Sequence, residues 1–216
     1  IWIYMNKELN NVINYNRLQT ISELDGFTEE RYLQMTKMLS SQALRILDVG
    51  CGIGRGGAVL KQLRPEVNII GIDCVPERTA RLDKTIYSEV HTGFTMDLPM
   101  EDRSVDAIIA GEFLEHVPPK HIALTLCEFF RVLTLHGVLC MTTPNPYYIK
   151  NKIKKLSVLI DPSHVTQHYP EILRLRLMEV GFSNISIRGS GRVSKILGSR
   201  FPNFLYGSYM ITATKW

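Results

Sequence analysis

Cysteine is sparse and unpaired in this 216-residue chain: Cys51, Cys74, Cys127 and Cys140 stand far apart, and no CxxC occurs. That spacing excludes the common zinc and dithiol motifs and reads as reduced thiols, the expectation for a cytoplasmic protein. An excess of one charge is also missing. The net charge is only +4 and the basic residues are dispersed, which disfavours a protein built mainly to hold a phosphate backbone and so disfavours nucleic acid as a partner. No apolar run is long enough to span a bilayer; the opening IWIYM is too short, and no signal-peptide core follows it. Internal repeats and low-complexity tracts are absent. The first residue is Ile rather than Met, so part of the native N-terminus is expected to be missing.

What is present is 45% hydrophobic content, enough for one compact domain with its own core. Residues 1–42 read as an N-terminal helical segment. Within it Met5 to Phe27 is Asn-rich and weakly patterned, and Thr28 is placed to cap a helix whose Tyr32, Met35 and Leu39 share a face. From residue 43 onward short β-branched runs alternate with helical patterns. The expected strands are Arg45–Val49, Val67–Ile72, Val90–Phe94, Val105–Ala110 and Val138–Thr142, the last preceded by a turn at Gly137. The expected helices run to about Leu63, from Pro76 to Lys84 and from Pro119 to Leu133. This alternation predicts an α/β fold with a mostly parallel sheet covered on both faces. After TTPNP the rhythm changes, and residues 145–168 read as an inserted cap. A helix from Pro170 to Val180 should close at Gly181; a strand through Ile185 and Ile187, a loop Ser190–Asn203 and a last strand Tyr206–Thr214 follow.

The stretch RILDVGCGIGRGG, Arg45 to Gly57, breaks from an apolar run into glycines. Gly52, Gly54 and Gly57 satisfy GxGxxG, while Gly50, Gly52 and Gly54 satisfy GxGxG. Spacing alone does not choose between a dinucleotide site, with Asp73 on the ribose, and another nucleoside ligand. Asp48, at the mouth of the first strand, is expected to repel a pyrophosphate and to attract a free ammonium group. S-adenosylmethionine has such a group, a cationic sulfonium and no phosphate, and Asp97 and Glu112 add negative charge near later strand ends.

These pieces, LDVGCGIG at Leu47–Gly54, GIDCVPE at Gly71–Glu77, MDLPMEDRSVDAI at Met96–Ile108 and GEFLEHV at Gly111–Val117, resemble the class I S-adenosylmethionine-dependent methyltransferases. The resemblance implies a Rossmann-like, doubly wound, seven-stranded sheet with an antiparallel last strand, within a methyltransferase domain of residues 43–216. It implies that Asp48 and the backbone of Gly50, Cys51 and Gly52 hold the methionine end, Asp73 the ribose, and Asp97 with Leu98 the adenine. Gly54, Cys74, Met96, Gly111 and Glu112 complete that pocket. Relatives often carry a bulkier residue where this chain has Arg55-Gly56-Gly57.

Methyl transfer to a hydroxyl also needs the acceptor's proton removed, by a base or with a metal. Glu112, Glu115 and His116 form ExxEH, and helical spacing would put all three on one face. His164, in DPSHV, lies within reach of the same cleft. The set resembles the divalent-metal site of ubiquinone-pathway O-methyltransferases and of small-RNA 2′-O-methyltransferases. In other relatives similar residues act without metal, with Glu112 in the cofactor pocket, His116 or His164 as base and Glu115 structural. Both readings stay open here; His91, His121, His136 and His168 read as satisfied or exposed.

In IKNKIKKLSVLI the residues Ile149, Ile153, Leu156 and Ile160 form a helical stripe with Lys150, Lys152, Lys154 and Lys155 off it. It reads as a lid over the acceptor site, as a surface patch for anionic lipid or a phosphorylated substrate, or as a packed helix with solvated lysines. Tyr147 and Tyr148 would stand at its rim, and Arg188, Arg192 and Lys195 could meet an acidic acceptor. The expected activity is O-methylation of a hydroxyl on a small molecule or glycan. The rivals are a quinone-type phenol, an RNA 2′-hydroxyl, and a non-catalytic protein that only binds the cofactor.

Overall fold

Apolar runs that end in glycine or an acid build the sheet of this protein, whose computed structural model describes residues 2–19, 26–198 and 203–216. Strand β1 (Arg45–Val49) lies between β2 (Asn68–Asp73) and β4 (Val105–Gly111), and all three run parallel. Outside them stand β3 (Tyr87–Thr92) and β5 (Leu133–Pro144). Strand β7 (Ser208–Lys215) inserts antiparallel between β5 and β6 (Phe182–Ser190), giving the order β3-β2-β1-β4-β5-β7-β6. The reversed hairpin at one edge sets this sheet apart from the all-parallel dinucleotide-binding order.

Both faces of the central strands are covered, which is why they read as continuous apolar runs rather than alternations. On one face Leu47, Val49 and Ile108 pack with Phe129 of α5 (Ile122–Val132) and Leu173 of α7 (Pro170–Val180). The other face joins Ile46, Ile69 and Ile109 to Leu60 of α3 (Arg55–Leu63) and to Tyr32 and Met35 of α2 (Thr28–Thr36). Helix α7 closes where expected, on Gly181 at φ 112°.

Several boundaries move. The weakly patterned N-terminus contains a helix, α1 (Trp2–Arg17), and Thr28 begins α2 rather than capping it; Phe27 is the cap residue and makes no side-chain cap bond. The helix begun at Pro76 is one turn, α4 (Pro76–Thr79), because the chain must enter β3 at Tyr87, whose ring is buried in the core. Pro119–His121 is a 3-10 turn before α5. Gly137 is not a turn: β5 starts at Leu133 and passes through it, with a bulge that sets Leu133 opposite Val105 and Val138 opposite Ala107. His136, at φ 66°, takes the left-handed conformation of that bulge.

The expected loop after Ser190 contains a short helix, α8 (Arg192–Leu197), while the side chains of Arg192 and Lys195 lie outside the described residues. In the cap, α6 (Ile149–Ile153) is followed by a 3-10 turn at Val158–Ile160. The apolar stripe there is not packed: Ile149, Ile153, Leu156 and Ile160 are all exposed, because the helix stops at Ile153 and the chain turns at Lys155, φ 53°. Among the described residues no helix is long and apolar enough to cross a membrane.

Candidate functional site

At the carboxyl ends of β1, β2 and β4 a cavity of about 570 Å³ opens, within the size range of small-molecule sites. Its floor is the glycine turn after β1. Gly50, Gly52 and Gly54 have φ of 64°, 55° and 88°, so the left-handed positions follow GxGxG, and that is the operative pattern of the two in the sequence. The amides of Gly50 and Cys51 donate to the Ile72 carbonyl at 2.9 and 3.2 Å, tying the turn to β2. A Cβ on Gly52 would meet nothing within 4 Å, so the backbone there faces open space.

Gly57 is required for a different reason. Asp48 is fully buried and does not line the cavity. Its two oxygens accept hydrogen bonds from the hydroxyls of Tyr32, at 2.5 Å, and Tyr87, at 2.6 Å. A Cβ on Gly56 would lie 2.0 Å from the Tyr32 ring, and one on Gly57 would lie 2.1 Å from the Tyr87 hydroxyl. The Arg55-Gly56-Gly57 departure is therefore what admits both tyrosines to the carboxylate. Asp48 was expected to meet a ligand ammonium; in this structure it stands behind the cavity wall, with a tyrosine hydroxyl on each oxygen. Burial pushes the Asp48 carboxyl up to about 6 even though both tyrosine hydrogen bonds favour the ionised form.

Asp73 does line the cavity. One carboxylate oxygen accepts from the Gly52 amide at 3.0 Å and the other from the Val75 amide at 2.9 Å, which leaves lone pairs on both for a ligand hydroxyl. Its pKa is raised by burial, against the Val75 amide and the Arg78 charge. Cys51 and Cys74 share the wall as thiols, Cys74 pushed up to about 12 by burial.

Past β3 the wall is Gly93, Phe94, Thr95 and Met96. Asp97 is exposed, while Leu98 is buried with its amide on Glu128 at 2.8 Å, and neither lines the cavity. Asp97 and Leu98, expected at the adenine, stand off this cavity, because the chain leaves the sheet at Gly93 and turns away after Met96. Gly54 also stands off the cavity and packs on Leu82 and Tyr87.

Gly111 and Glu112 reach the wall from β4. The ExxEH segment is not a regular helix: Glu112 sits at φ 50° and only Leu114–His116 forms a 3-10 turn. Glu112 consequently turns to Arg31, at 3.7 Å, and Ser208, at 3.2 Å, away from the common face expected of it. Glu115 is buried; one oxygen accepts from the Thr143 hydroxyl at 3.0 Å, and the other has no hydrogen bond. Burial and then the Glu112 charge raise its pKa.

The cap delivers His164 to the same place. The amides of Val165 and Thr166 donate to the Glu115 carbonyl, at 2.9 and 3.1 Å. His116 and His164 meet edge-on with ring centroids 5.0 Å apart. His164 Nδ1 lies 2.7 Å from the Val158 carbonyl, which can only accept. That contact selects the tautomer with its proton on Nδ1 and a lone pair on Nε2, which stands 4.0 Å from Asp161 Oδ2. His116 Nδ1 is 2.9 Å from the Ser163 carbonyl, and burial holds this imidazole down to about 4. Ligand atoms of Glu115, His116 and His164 lie within 4.8 Å of one another.

His168 is buried and bonded to the Leu114 carbonyl and the Thr166 hydroxyl, and His91 pairs with Glu89 at 2.7 Å. Tyr147 stacks near Tyr169, and neither it nor Tyr148 lines the cavity. The sequence reading missed Arg31, Tyr32, Tyr87 and the roof supplied by α1, whose Tyr15 hydroxyl donates to the His116 carbonyl at 2.7 Å. No spacing rule marks residues that converge from such separated segments.

Residues 46–137 match the family described as "Methyltransferase domain". The chain is 33% identical over 141 residues to a demethylmenaquinone methyltransferase of Staphylococcus aureus (strain JH9), covering 61% of this chain and 56% of that protein, so the match spans about half of the relative's length. Among solved structures it is similar to a SAM-dependent methyltransferase from Archaeoglobus fulgidus, with TM-score 0.66, 21% identity and coverage of 86% and 90%. It is also similar to a Haemonchus contortus phosphoethanolamine N-methyltransferase in complex with S-adenosyl-L-methionine, with TM-score 0.66, 13% identity and coverage of 86% and 52%.

Proposed function

From a chain that carries a methyltransferase domain of the class I, S-adenosylmethionine-dependent kind, we propose O-methylation of a hydroxyl on a small molecule or glycan held between Asp73 and His164. The residues present fit the cofactor. The Asp73 carboxylate keeps lone pairs free beside the open backbone of Gly52, and Phe94–Met96 offer an apolar wall. When bound, S-adenosylmethionine supplies an electrophilic methyl group. The glycine turn and Asp73 hold and orient it, and alignment of this sort contributes on the order of 7 kcal/mol or more to lowering such a barrier.

The observation that carries the hydroxyl reading is His164: its Nδ1 proton is fixed on the Val158 carbonyl and its Nε2 lone pair is left to take the acceptor's proton. Burial holds His116 neutral down to about 4. His164→Ala should lower turnover by 100-fold or more, on the order of the usual contribution of a general base, while S-adenosylhomocysteine affinity stays within about twofold. Equal turnover in the variant on a true acceptor would remove His164 from the reaction, and no S-adenosylhomocysteine release from any acceptor panel would favour the binding-only alternative.

A second reading rests on the convergence of Glu115, His116 and His164 within 4.8 Å and the unbonded Glu115 oxygen. These three would hold a divalent ion suited to mixed nitrogen and oxygen ligands, which would acidify the acceptor hydroxyl. Chelation followed by manganese or cobalt add-back separates the two readings. Similarity to the Staphylococcus demethylmenaquinone methyltransferase makes a quinone-derived ring the leading competitor to a sugar as acceptor.

A further inference from the structure

Between Tyr147 and Asp161 the chain carries four lysines and no acid. Lys150, Lys152, Lys154 and Lys155 are all exposed. So are five large aliphatic side chains, Ile149, Ile153, Leu156, Leu159 and Ile160, with Ile153 at 74% and Ile160 at 65% of full exposure. Val158 alone turns inward. Water does not favour so many aliphatic groups within twelve residues, and among the described residues none covers these five.

Its composition selects the occupant. A nucleic acid would pair with the lysines and leave the aliphatic groups in water. Protein interfaces are enriched in Arg and aromatic residues and depleted in Lys, and Ile149–Ile160 contains neither Arg nor an aromatic. Lysine is a point charge that needs no fixed partner geometry. Aliphatic groups ringed by lysines match the boundary between acyl chains and negatively charged headgroups. We infer that residues 149–160 dock this protein on the surface of an anionic phospholipid bilayer. The patch adjoins the cavity: Asp161, Pro162, Ser163 and His164 line it, and the Val158 carbonyl orients His164. Docking there sets the cavity mouth beside the headgroup layer.

The inference stands apart from the methyl-transfer reading, since its readout is sedimentation without turnover. The full chain is spun with vesicles of phosphatidylglycerol mixed with phosphatidylcholine, and with vesicles of phosphatidylcholine alone, at rising salt. The expected result is co-sedimentation with the first only, weakened by salt. A K150E/K152E/K154E/K155E variant should bind at least about tenfold more weakly, and an I153N/I160N variant should also lose binding; unchanged melting temperatures and S-adenosylhomocysteine binding show that both are folded. No sedimentation with either vesicle overturns the inference, as does binding indifferent to the lysines. Binding that survives I153N/I160N and is displaced by heparin also overturns it, because the surface is then a general polyanion site.

Discussion

Asp48 illustrates what one buried carboxylate does at the residue scale. It stands inside the sheet, gathers the hydroxyls of Tyr32 and Tyr87, and through Tyr32 fixes part of the cavity wall. The glycines at 56 and 57 exist in this chain to make room for those rings. Gly57→Ala is expected to destabilise the fold by about 1–3 kcal/mol in chemical denaturation, because its methyl must displace the Tyr87 hydroxyl. Tyr87→Phe should cost about 1.5–3 kcal/mol by itself and little more in the Gly57→Ala background, since the same bond is lost twice. The carboxyl also has a pH signature. Its folded pKa of about 6 lies above the ordinary 3.8, so the unfolded chain ionises first, and ionising Asp48 costs stability as pH rises from about 4 to 6. Asp48→Asn removes that slope, and its stability relative to the unsubstituted protein should rise by up to about 3 kcal/mol across the window in urea titrations.

Elements were legible from the sequence in proportion to their burial. Central strands β1, β2 and β4 announce themselves as apolar runs because both of their faces are covered. Helix α7 does so through Pro170 and Gly181. The edge of β3 and the one-turn α4 did not, since their placement depends on distant partners, as Tyr87 on Asp48; the helical character of residues 1–42 was readable, but not the bounds of α1. The ExxEH segment shows the same limit, because its residue types were readable and its helical geometry was not; the left-handed Glu112 breaks the period. Arg78, buried beneath α1, donates to the carbonyls of Asn16 and Gln19 at 2.7 and 3.3 Å. Arg78→Met should therefore speed hydrogen exchange in residues 2–19 by about tenfold or more, leaving β1 and β4 protected. Uniform loss of protection would mean that Arg78 supports the whole domain instead.

For the whole molecule, the sheet order with its reversed hairpin accounts for the fold, and the cavity at the strand ends accounts for where chemistry can occur. The buried imidazoles set its acid limit. His116 and His168 are each held down to about 4 by burial, so the unfolded chain takes up protons first as pH falls. Stability that is full above about 6.5 is lost toward pH 4, by up to about 3 kcal/mol for each histidine. Thermal melts at stepped pH should show this decline exceeding the opposing gain from Asp48. A melting temperature flat from pH 7 to 4 would contradict the burial of the two rings.

The most direct measurement is calorimetric titration of the purified protein with S-adenosylhomocysteine, alongside Asp73→Ala and with NADH as the competing nucleotide. Saturable binding of the first is expected, weakened about tenfold or more when the Asp73 carboxylate is removed, with no heat from NADH. Tight NADH binding with silence toward S-adenosylhomocysteine, or affinity unchanged in Asp73→Ala, would contradict that expectation.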